Sequence, residues 1–311
     1  MKPPALKPGD LIGVIAPASP VPEERRERAL QTLRRFGYRV KVGASVQEQH
    51  GYFSGTDEVR ARDVNEMFAD PEVRAIMCIR GGYGSQRLLD RIDYAMIRKN
   101  PKIFVGYSDI TSLHLALWKK AGLITFHGPM VGELEHVSEE EEMAWAVLFR
   151  QLSDPQPLGE YPDTGRTLCF TITPGRATGR LVGGNLCLLA ASMGTPYELD
   201  TTGKILFIEE VGEEPYRIDR MLTQLRLAGK LEQAAGILFT DFHDCNAENP
   251  ERSLTLREVL EEIVRPLGVP AYFGFQAGHT EPNLALPIGI QAYLDAGEGT
   301  LMLLEGCVQA N

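Results

Sequence analysis

Short apolar runs alternate with amphipathic segments along the first half of the chain. The apolar runs, each typical of a buried strand, fall at residues 10–16, 38–42, 73–79, 103–105 and 123–126. Between them, segments such as residues 23–36 and 56–69 carry apolar residues three to four positions apart, which is the period of a helix face. Strands that alternate with helices predict a mostly parallel sheet with helices on both faces.

The second half of the chain has a different pattern. Residues 153–176 are rich in proline, glycine and threonine, so we expect a linker there between two domains, 1–152 and 177–311. Strand patterns at 177–182, 204–209 and 234–240 each precede a helical segment, and short β-like runs follow near 272–275, 285–290 and 300–304. We therefore predict a second α/β domain with a more mixed, partly antiparallel sheet.

Composition and charge narrow the class of protein. The 311 residues are 43% hydrophobic and 24% charged, with a net charge of −10, which argues against nucleic acid as a partner. The N-terminal apolar run, residues 11–16, is too short for a signal peptide or a membrane span. Five cysteines without a C-x-x-C pair indicate a reducing compartment. We expect a cytoplasmic protein in which Cys78 and Cys187 are buried free thiols.

A sharp turn joins a strand to a helix near residue 108. The strand pattern at 103–105 ends in Gly106-Tyr107-Ser108-Asp109, and apolar residues at 110, 113, 117 and 121 then mark a helix face. A serine on such a turn exposes its hydroxyl, and the following amide lies beside it at a helix N-terminus. This is typical of a nucleophile. The alternative is that Ser108 or Asp109 merely caps the helix.

A nucleophilic serine needs a base and a carboxylate that orients the base. The histidines are at positions 50, 114, 127, 136, 243 and 279. His279 follows a glycine in a loop after an apolar strand, where it is accessible, whereas packing or capping explains His114 on its helix. Glu209 and Glu210 close an apolar strand on opposite faces. One of them is expected to meet a histidine, unless both are simply solvated.

Two further motifs have competing interpretations. The glycine pair in Arg80-Gly81-Gly82-Tyr83-Gly84 can bring backbone N–H groups close to an oxyanion. A phosphate-binding loop is less favoured, because the sequence matches neither nucleotide-binding glycine motif. Residues 241–245, DFHDC, are the best metal candidate, but no second group of ligands accompanies them, so no metal is predicted.

The motifs occur in a fixed order along the chain. They read RGGYG from residue 80, GYSDIT from 106, FHGPM from 126, GGNL from 183, FIEEV from 207, YRIDRML from 216, and GH from 278. Together they resemble the LD-carboxypeptidases (muramoyltetrapeptide carboxypeptidases), a family that includes the microcin C self-immunity peptidases. The resemblance runs from about residue 11 to residue 290.

The resemblance implies a serine peptidase whose triad is divided between two domains. Ser108 matches the nucleophile, Glu209 the orienting carboxylate and His279 the base. The oxyanion donors would be the amides of Asp109 and Gly82. The resemblance also implies a flavodoxin-like or class I amidotransferase-like N-terminal sheet.

The function that the resemblance implies is release of the terminal D-alanine from the L,D-bond of a murein tetrapeptide during cell-wall recycling. Such enzymes need no cofactor or metal and are commonly homodimers. Arg80 and Arg217 are candidates for holding the substrate carboxylate, although either could form a structural ion pair. Two alternatives remain: a microcin-immunity-type hydrolase of peptidyl- or aminoacyl-adenylate conjugates, and a non-catalytic binding module of amidotransferase-like fold.

Overall fold

A computed structural model describes residues 1–135, 137–165 and 168–310, and His136 lies outside the described residues. The strands are β1 (Leu11–Ile15), β2 (Arg39–Val42), β3 (Val73–Cys78), β4 (Ile103–Gly106), β5 (Thr125–His127), β6 (Gly159–Glu160), β7 (Phe170–Thr173), β8 (Arg176–Asn185), β9 (Ile205–Val211), β10 (Gly236–His243), β11 (Ala271–Phe273), β12 (Leu286–Ile288), β13 (Gln291–Asp295) and β14 (Thr300–Leu303). The helices are α1 (Glu23–Arg35), α2 (Asp57–Ala69), α3 (Tyr94–Lys99), α4 (Thr111–Ala116), α5 (Glu139–Ser153), α6 (Leu186–Ala191), α7 (Pro215–Leu227) and α8 (Leu256–Val264).

The chain divides into two compact units. Unit 1 comprises Met1–Gln156, Leu284–Pro287 and the segment from Gly306 onward. Its sheet, counted over the described residues, has six strands in the order β12-β5-β4-β3-β1-β2, and β1 to β5 pair in parallel. Strands β1 and β4 are buried along their whole length, as strands with both faces covered are. The predicted parallel sheet is confirmed.

Unit 2 comprises Pro157–Asn283 and Ile288–Glu305. Within the described ranges its sheet has eight strands in the order β6-β14-β13-β8-β9-β10-β11-β7. The central strands β8 to β11 are parallel, and both flanks pair antiparallel, which confirms the predicted mixed sheet. Two of its strands, β6 and β7, come from the segment that the sequence predicted as a linker.

Local sequence signals explain where several helices begin. The Thr56 hydroxyl accepts a hydrogen bond from Val59 N at the start of α2. Helices α5 and α8 each begin with a capping box, in which a hydroxyl residue and a glutamate three positions later bond each other's backbone N–H. These boxes satisfy N–H groups that would otherwise lack partners, so the amphipathic patterns start where the caps stand.

Two simple predictions from composition have different outcomes. Cys78 is buried as expected, but Cys187 is exposed, so the prediction for Cys187 is wrong. Cys187 lies in the first turn of α6, whose buried positions are Leu186, Leu189 and Ala190, and so it lies away from the buried face of the helix.

Among the described residues, none of the helices has the length and apolar character needed to span a bilayer.

Candidate active site

The turn after β4 holds Ser108 in an uncommon backbone conformation. Ser108 has φ +61°, a left-handed value that non-glycine residues rarely adopt. The residue is half-buried, and a short 3₁₀ helix, Ser108–Ile110, leads from it into α4. A strained residue between a strand and a helix is the geometry of a nucleophile elbow, because it lifts the side chain out of the sheet.

Glycine at position 106 makes this tight turn possible. A Cβ at Gly106 would lie 2.9 Å from Ile110 Cγ2 and 3.2 Å from Cys78 Cβ. The helical segment can therefore pack directly on the end of β4 only because position 106 has no side chain. The nearby His114 ring, on α4, bonds Gly106 O at 2.7 Å through Nε2 and Thr125 Oγ1 at 2.9 Å through Nδ1.

Asp109 does not cap its own helix. Its buried carboxylate accepts hydrogen bonds from Ser85 N at 2.8 Å and from Gly84 N at 3.3 Å. Burial raises the pKa of Asp109, and these two backbone donors oppose that rise. The capping interpretation is therefore wrong for Asp109: its side chain ties the turn to the glycine-rich loop that follows β3. Because a protein carboxylate already holds these two amides, the phosphate-binding interpretation of that loop loses support.

The glycine pair lies against the serine turn. A Cβ at Gly81 would come within 3.0 Å of Ser108 Cβ and 3.3 Å of Ser108 Oγ. Gly82 has φ +101°, and a Cβ there would lie 2.4 Å from Ser19 Oγ. Across the part of unit 1 that the structure describes, Gly82 N–H donates to no backbone oxygen. Position 82 thus requires glycine, a side chain at position 81 would press on the serine, and the Gly82 amide is available as a donor.

In unit 2, Glu209 and His279 form a hydrogen-bonded pair. Glu209 is fully buried near the end of β9, and its Oε2 lies 2.7 Å from His279 Nδ1. An ionised carboxylate only accepts hydrogen bonds, so in a pair with ionised Glu209 the donor is His279 Nδ1. The His279 side chain is 19% exposed, which leaves it reachable. The expectation that one acid of the pair meets a histidine is confirmed.

The residue before His279 has to be glycine. Gly278 has φ +105°, and a Cβ there would lie 3.0 Å from the Glu209 side chain. Its N–H donates to Asn283 Oδ1 at 2.8 Å, which closes the loop that carries the histidine. The short Gly-His motif therefore reflects close packing of this loop on the end of β9.

Glu210 points to the other face of β9 and has a different environment. Its carboxylate accepts hydrogen bonds from Asn185 Nδ2, Cys187 N and Val211 N at 2.8–2.9 Å. Burial raises the pKa of Glu210 to about 7, against the effect of these donors. Glu210 thus fastens the start of α6 to β9. The alternative in which both acids are solvated is wrong, because both are buried.

Comparison with known proteins identifies the family. Residues 12–128 match the LD-carboxypeptidase N-terminal domain, and residues 178–294 match the LD-carboxypeptidase C-terminal domain. A probable murein peptide carboxypeptidase of Bacillus subtilis is 47% identical over 309 residues, which cover 98% of this chain and 95% of that relative. The chain belongs to the LD-carboxypeptidase family. Membership confirms the predicted hydrolase class, a serine-type carboxypeptidase, so the non-catalytic alternative is wrong.

Solved structures of LD-carboxypeptidase relatives share the fold. The structure of MccF in complex with glutamyl sulfamoyl guanosine has a TM-score of 0.92 at 26% identity and covers 99% of each chain. A muramoyltetrapeptide carboxypeptidase from Oxalobacter formigenes has a TM-score of 0.83 at 31% identity, covering 94% of this chain and 97% of its own. The predicted two-part α/β fold is confirmed by both.

The two arginine candidates of this LD-carboxypeptidase have unlike surroundings. Arg80 directly precedes the glycine pair, is exposed, and donates from Nη1 to Pro20 O at 2.8 Å. Arg217, on α7, donates to the Tyr216 hydroxyl at 2.9 Å and lies 3.5 Å from Glu213. Arg217 is thus engaged in the kind of surface ion pair that was its alternative. Arg80 remains the better placed candidate, because it adjoins the glycine pair that lies against Ser108.

The metal candidate at residues 241–245 gains no support. Across residues 1–135, 137–165 and 168–310, no group of three or more His, Cys, Asp or Glu side chains is arranged to hold a metal ion. His243 Nδ1 lies 4.0 Å from Asp241 Oδ2, and Cys245 is buried, which raises the pKa of its thiol to about 12. Residues 241–245 therefore form a turn with polar side chains at the end of β10.

Sequence reasoning missed the residues that support the serine turn from behind. Arg60 is completely buried on α2 and donates from Nη1 to Pro17 O at 2.7 Å and to Gly84 O at 3.0 Å. Ser19 accepts a hydrogen bond from Tyr83 N at 3.1 Å. Ser19 offered a signal, since it follows the carboxyl end of a parallel strand. Arg60 offered none, because an arginine on an amphipathic helix ordinarily faces solvent.

Proposed function

We propose that Ser108, Glu209 and His279 form a catalytic triad that releases the terminal D-alanine from a murein tetrapeptide. The observation that carries this proposal is the 2.7 Å contact between a fully buried Glu209 and His279. A buried carboxylate is costly unless it is paired, and here its partner is an imidazole that is itself partly exposed. Family membership supplies the reaction class, and the Ser108 turn supplies a nucleophile.

The reaction follows from these groups. His279 Nε2 accepts the Ser108 hydroxyl proton as Oγ attacks the carbonyl of the L,D-peptide bond. The negative charge on the carbonyl oxygen is stabilised by the Asp109 and Gly82 amides, while Glu209 stabilises the imidazolium. The imidazolium then protonates the departing D-alanine amine. Water, activated by the same histidine, hydrolyses the acyl-enzyme and restores the serine.

We extend the proposal to the binding of the substrate carboxylate and to the setting of the reaction. Arg80, beside the glycine pair, binds the free carboxylate that a carboxypeptidase must recognise. The enzyme acts in the cytoplasm on recycled murein peptides, and the active form is a homodimer. Leu227, 79% exposed at the end of α7, is one apolar side chain that such an interface would cover. Sedimentation of the purified protein tests the dimer.

The experiment that tests the function measures D-alanine released from a murein tetrapeptide. Wild type is expected to release it, and Ser108→Ala is expected to lose about 10⁴-fold or more in kcat. Ser153→Ala, which removes an exposed hydroxyl at the end of α5, is the matched control and should keep full activity. Equal rates from wild type and Ser108→Ala would remove Ser108 from the mechanism.

One observation favours a second function, hydrolysis of peptidyl- or aminoacyl-adenylate conjugates. The fold agrees closely with MccF bound to a sulfamoyl nucleoside, and unit 2 has an exposed aromatic ring, Tyr216, available for base stacking. However, the Arg217 guanidinium lies 5.6 Å from the centroid of that ring. Assaying an aminoacyl sulfamoyl adenosine beside the tetrapeptide decides between them: the better substrate by kcat/KM identifies the function.

A further inference from the structure

Unit 2 contains a cavity of about 490 Å³ beside the loop that carries His279. Its walls come from the carboxyl ends of β10 and β11, the turn after β10, the start of α8, and Thr280, which directly follows the histidine. The carboxyl ends of parallel strands are the usual place for ligands in α/β sheets. The cavity is therefore positioned as part of a binding site.

Two acceptor atoms in the cavity wall lack partners. Asp241 Oδ2 and Gln276 Oε1 are both buried, and neither has a hydrogen-bond partner among the residues that the structure describes. His243 Nδ1 lies 4.0 Å from Asp241 Oδ2, which is beyond hydrogen-bonding distance. A buried oxygen without a donor carries an unfavourable desolvation cost, which a ligand with N–H groups would relieve.

The rest of the lining suits a cation on an aliphatic stem. Phe242, Phe273 and Phe275 are buried apolar residues of the wall, against which methylene groups can pack. Arg257 also lines the cavity, but its Nε bonds Glu261 at 2.9 Å and its guanidinium lies over the Phe170 ring. Glu261 also lies 3.0 Å from Arg265, so two arginines share it, and the charge of the lining alone does not select a ligand. A cation is favoured because the two unpartnered wall atoms, Asp241 Oδ2 and Gln276 Oε1, are both hydrogen-bond acceptors.

The cavity is connected to the proposed catalytic pair through the backbone of unit 2. Asp241 N donates to Ala277 O at 3.3 Å, and Gln276 Nε2 donates to Glu281 O at 3.1 Å. The pKa of Asp241 is raised, first by burial and then by the charge of Glu209, whereas His243 and His279 lower it. A ligand in the cavity thus lies next to the loop that presents the histidine.

We propose that this cavity binds the ammonium-bearing side chain of the residue on the acyl side of the scissile bond. Asp241 Oδ2 and Gln276 Oε1 accept the hydrogen bonds of the ammonium, and the aromatic wall packs on its methylene stem. This proposal rests on the proposed function: the leaving residue is D-alanine, whose methyl side chain carries no amine, so the amine belongs to the preceding residue.

The test uses the full chain and three tetrapeptides that differ only in the third residue: L-ornithine, L-lysine or L-norleucine. Wild type should favour the two amine-bearing peptides over the norleucine peptide by about tenfold to hundredfold in kcat/KM, the range expected for a hydrogen-bonded charge. Asp241→Asn should reduce this preference strongly. Because the preference is a ratio within one protein, a change in folding or in the catalytic groups cancels.

Asp244→Asn is the matched control, because Asp244 is 78% exposed and has φ +51°, which asparagine tolerates well. It should retain the wild-type preference. Equal kcat/KM for all three peptides in wild type would overturn the subsite and leave the proposed function standing. So would an Asp241→Asn variant that keeps the full preference. Failure to release D-alanine from any of the three peptides would overturn both proposals.

Discussion

Two strand ends carry the candidate chemistry, and they are built in opposite ways. At the end of β4 in unit 1, Ser108 is placed by its backbone, with φ +61° and glycine at positions 81 and 106. At the end of β9 in unit 2, Glu209 and Glu210 are buried carboxyl groups, each placed by hydrogen bonds on its own face of the strand.

The difference teaches which substitutions each end tolerates. A neutral hydroxyl needs no charged partner, so the serine turn depends on close approach and is sensitive to added atoms. A buried carboxyl group is sensitive to loss of a hydrogen-bond partner, because its desolvation is offset only by those contacts. Substitutions that add atoms should therefore impair activity at the end of β4. Substitutions that replace a carboxyl group by an amide of the same shape should impair activity at the end of β9.

Neutralising Glu209 is the strongest test of the charge-dependent end. Glu209→Gln should lower kcat by roughly 10³- to 10⁴-fold, because an amide neither stabilises the imidazolium nor fixes the proton on Nδ1. Steady-state D-alanine release measures the loss. Glu210→Gln makes the same change one residue later on the opposite face, and it should cost far less activity. Similar losses from both variants would contradict the assignment of Glu209.

Adding one carbon at position 81 tests the close-packed end. Gly81→Ala would put a Cβ 3.0 Å from Ser108 Cβ and 3.2 Å from Tyr107 O, so the serine has to shift by a few tenths of an ångström. We expect kcat/KM to fall by about tenfold to hundredfold, with little change in stability.

Gly297→Ala is the control for this substitution, since within the described ranges its Cβ would meet only Asp295 Oδ1, at 3.3 Å. Activity within a factor of about two of wild type in both variants would show that the glycine pair does not position the serine, given that a misplaced group ordinarily costs much more.

The same contrast explains which features of the fold and of the candidate site could be predicted from the sequence. The parallel sheet of unit 1 was predictable from the alternation of strand and helix patterns along the sequence. The serine turn was predictable from the glycine-x-serine sequence between a strand pattern and a helix pattern. The alternation of β9 showed that Glu209 and Glu210 face opposite ways. It could not show which acid meets a histidine, because His279 lies 70 residues further on. The family resemblance supplied that assignment.

Other features depend on contacts that no local pattern encodes. Asp109 is a plausible cap in the sequence, yet its carboxylate serves Gly84 and Ser85 at the neighbouring strand end. Arg60 is fully buried because backbone carbonyls from two loops surround it. Hydrophobic periodicity places side chains on faces of an element, but it does not tell which polar group from a distant loop covers a face.

The pH dependence of stability gives a smaller contrast. Burial raises the pKa of Glu210 from 4.5 to about 7, so the folded state binds more protons than the unfolded state between these values. Its contribution is present below pH 4.5 and is lost as the pH rises to 7, by about 3 kcal/mol. The urea unfolding free energy of Glu210→Gln should lack this slope, so its difference from that of wild type should change between pH 4.5 and pH 7. A difference that stays constant across this range would refute the pKa shift of Glu210.

The buried histidine of unit 1 should titrate in the opposite sense. Burial lowers the pKa of His114 from 6.5 to about 4, because its ring is enclosed near Phe104, and the hydrogen bond to Gly106 O opposes this shift only in part. Between these values the unfolded state binds more protons, so stability is present above pH 6.5 and is lost as the pH falls to 4, by about 3 kcal/mol. At neutral pH this contribution is fully present, so the effect appears only in acid. His114→Gln should flatten the fall in unfolding free energy between pH 6.5 and pH 4 while leaving the Glu210 slope intact; a variant that keeps the wild-type fall would show that folding does not lower the pKa of His114.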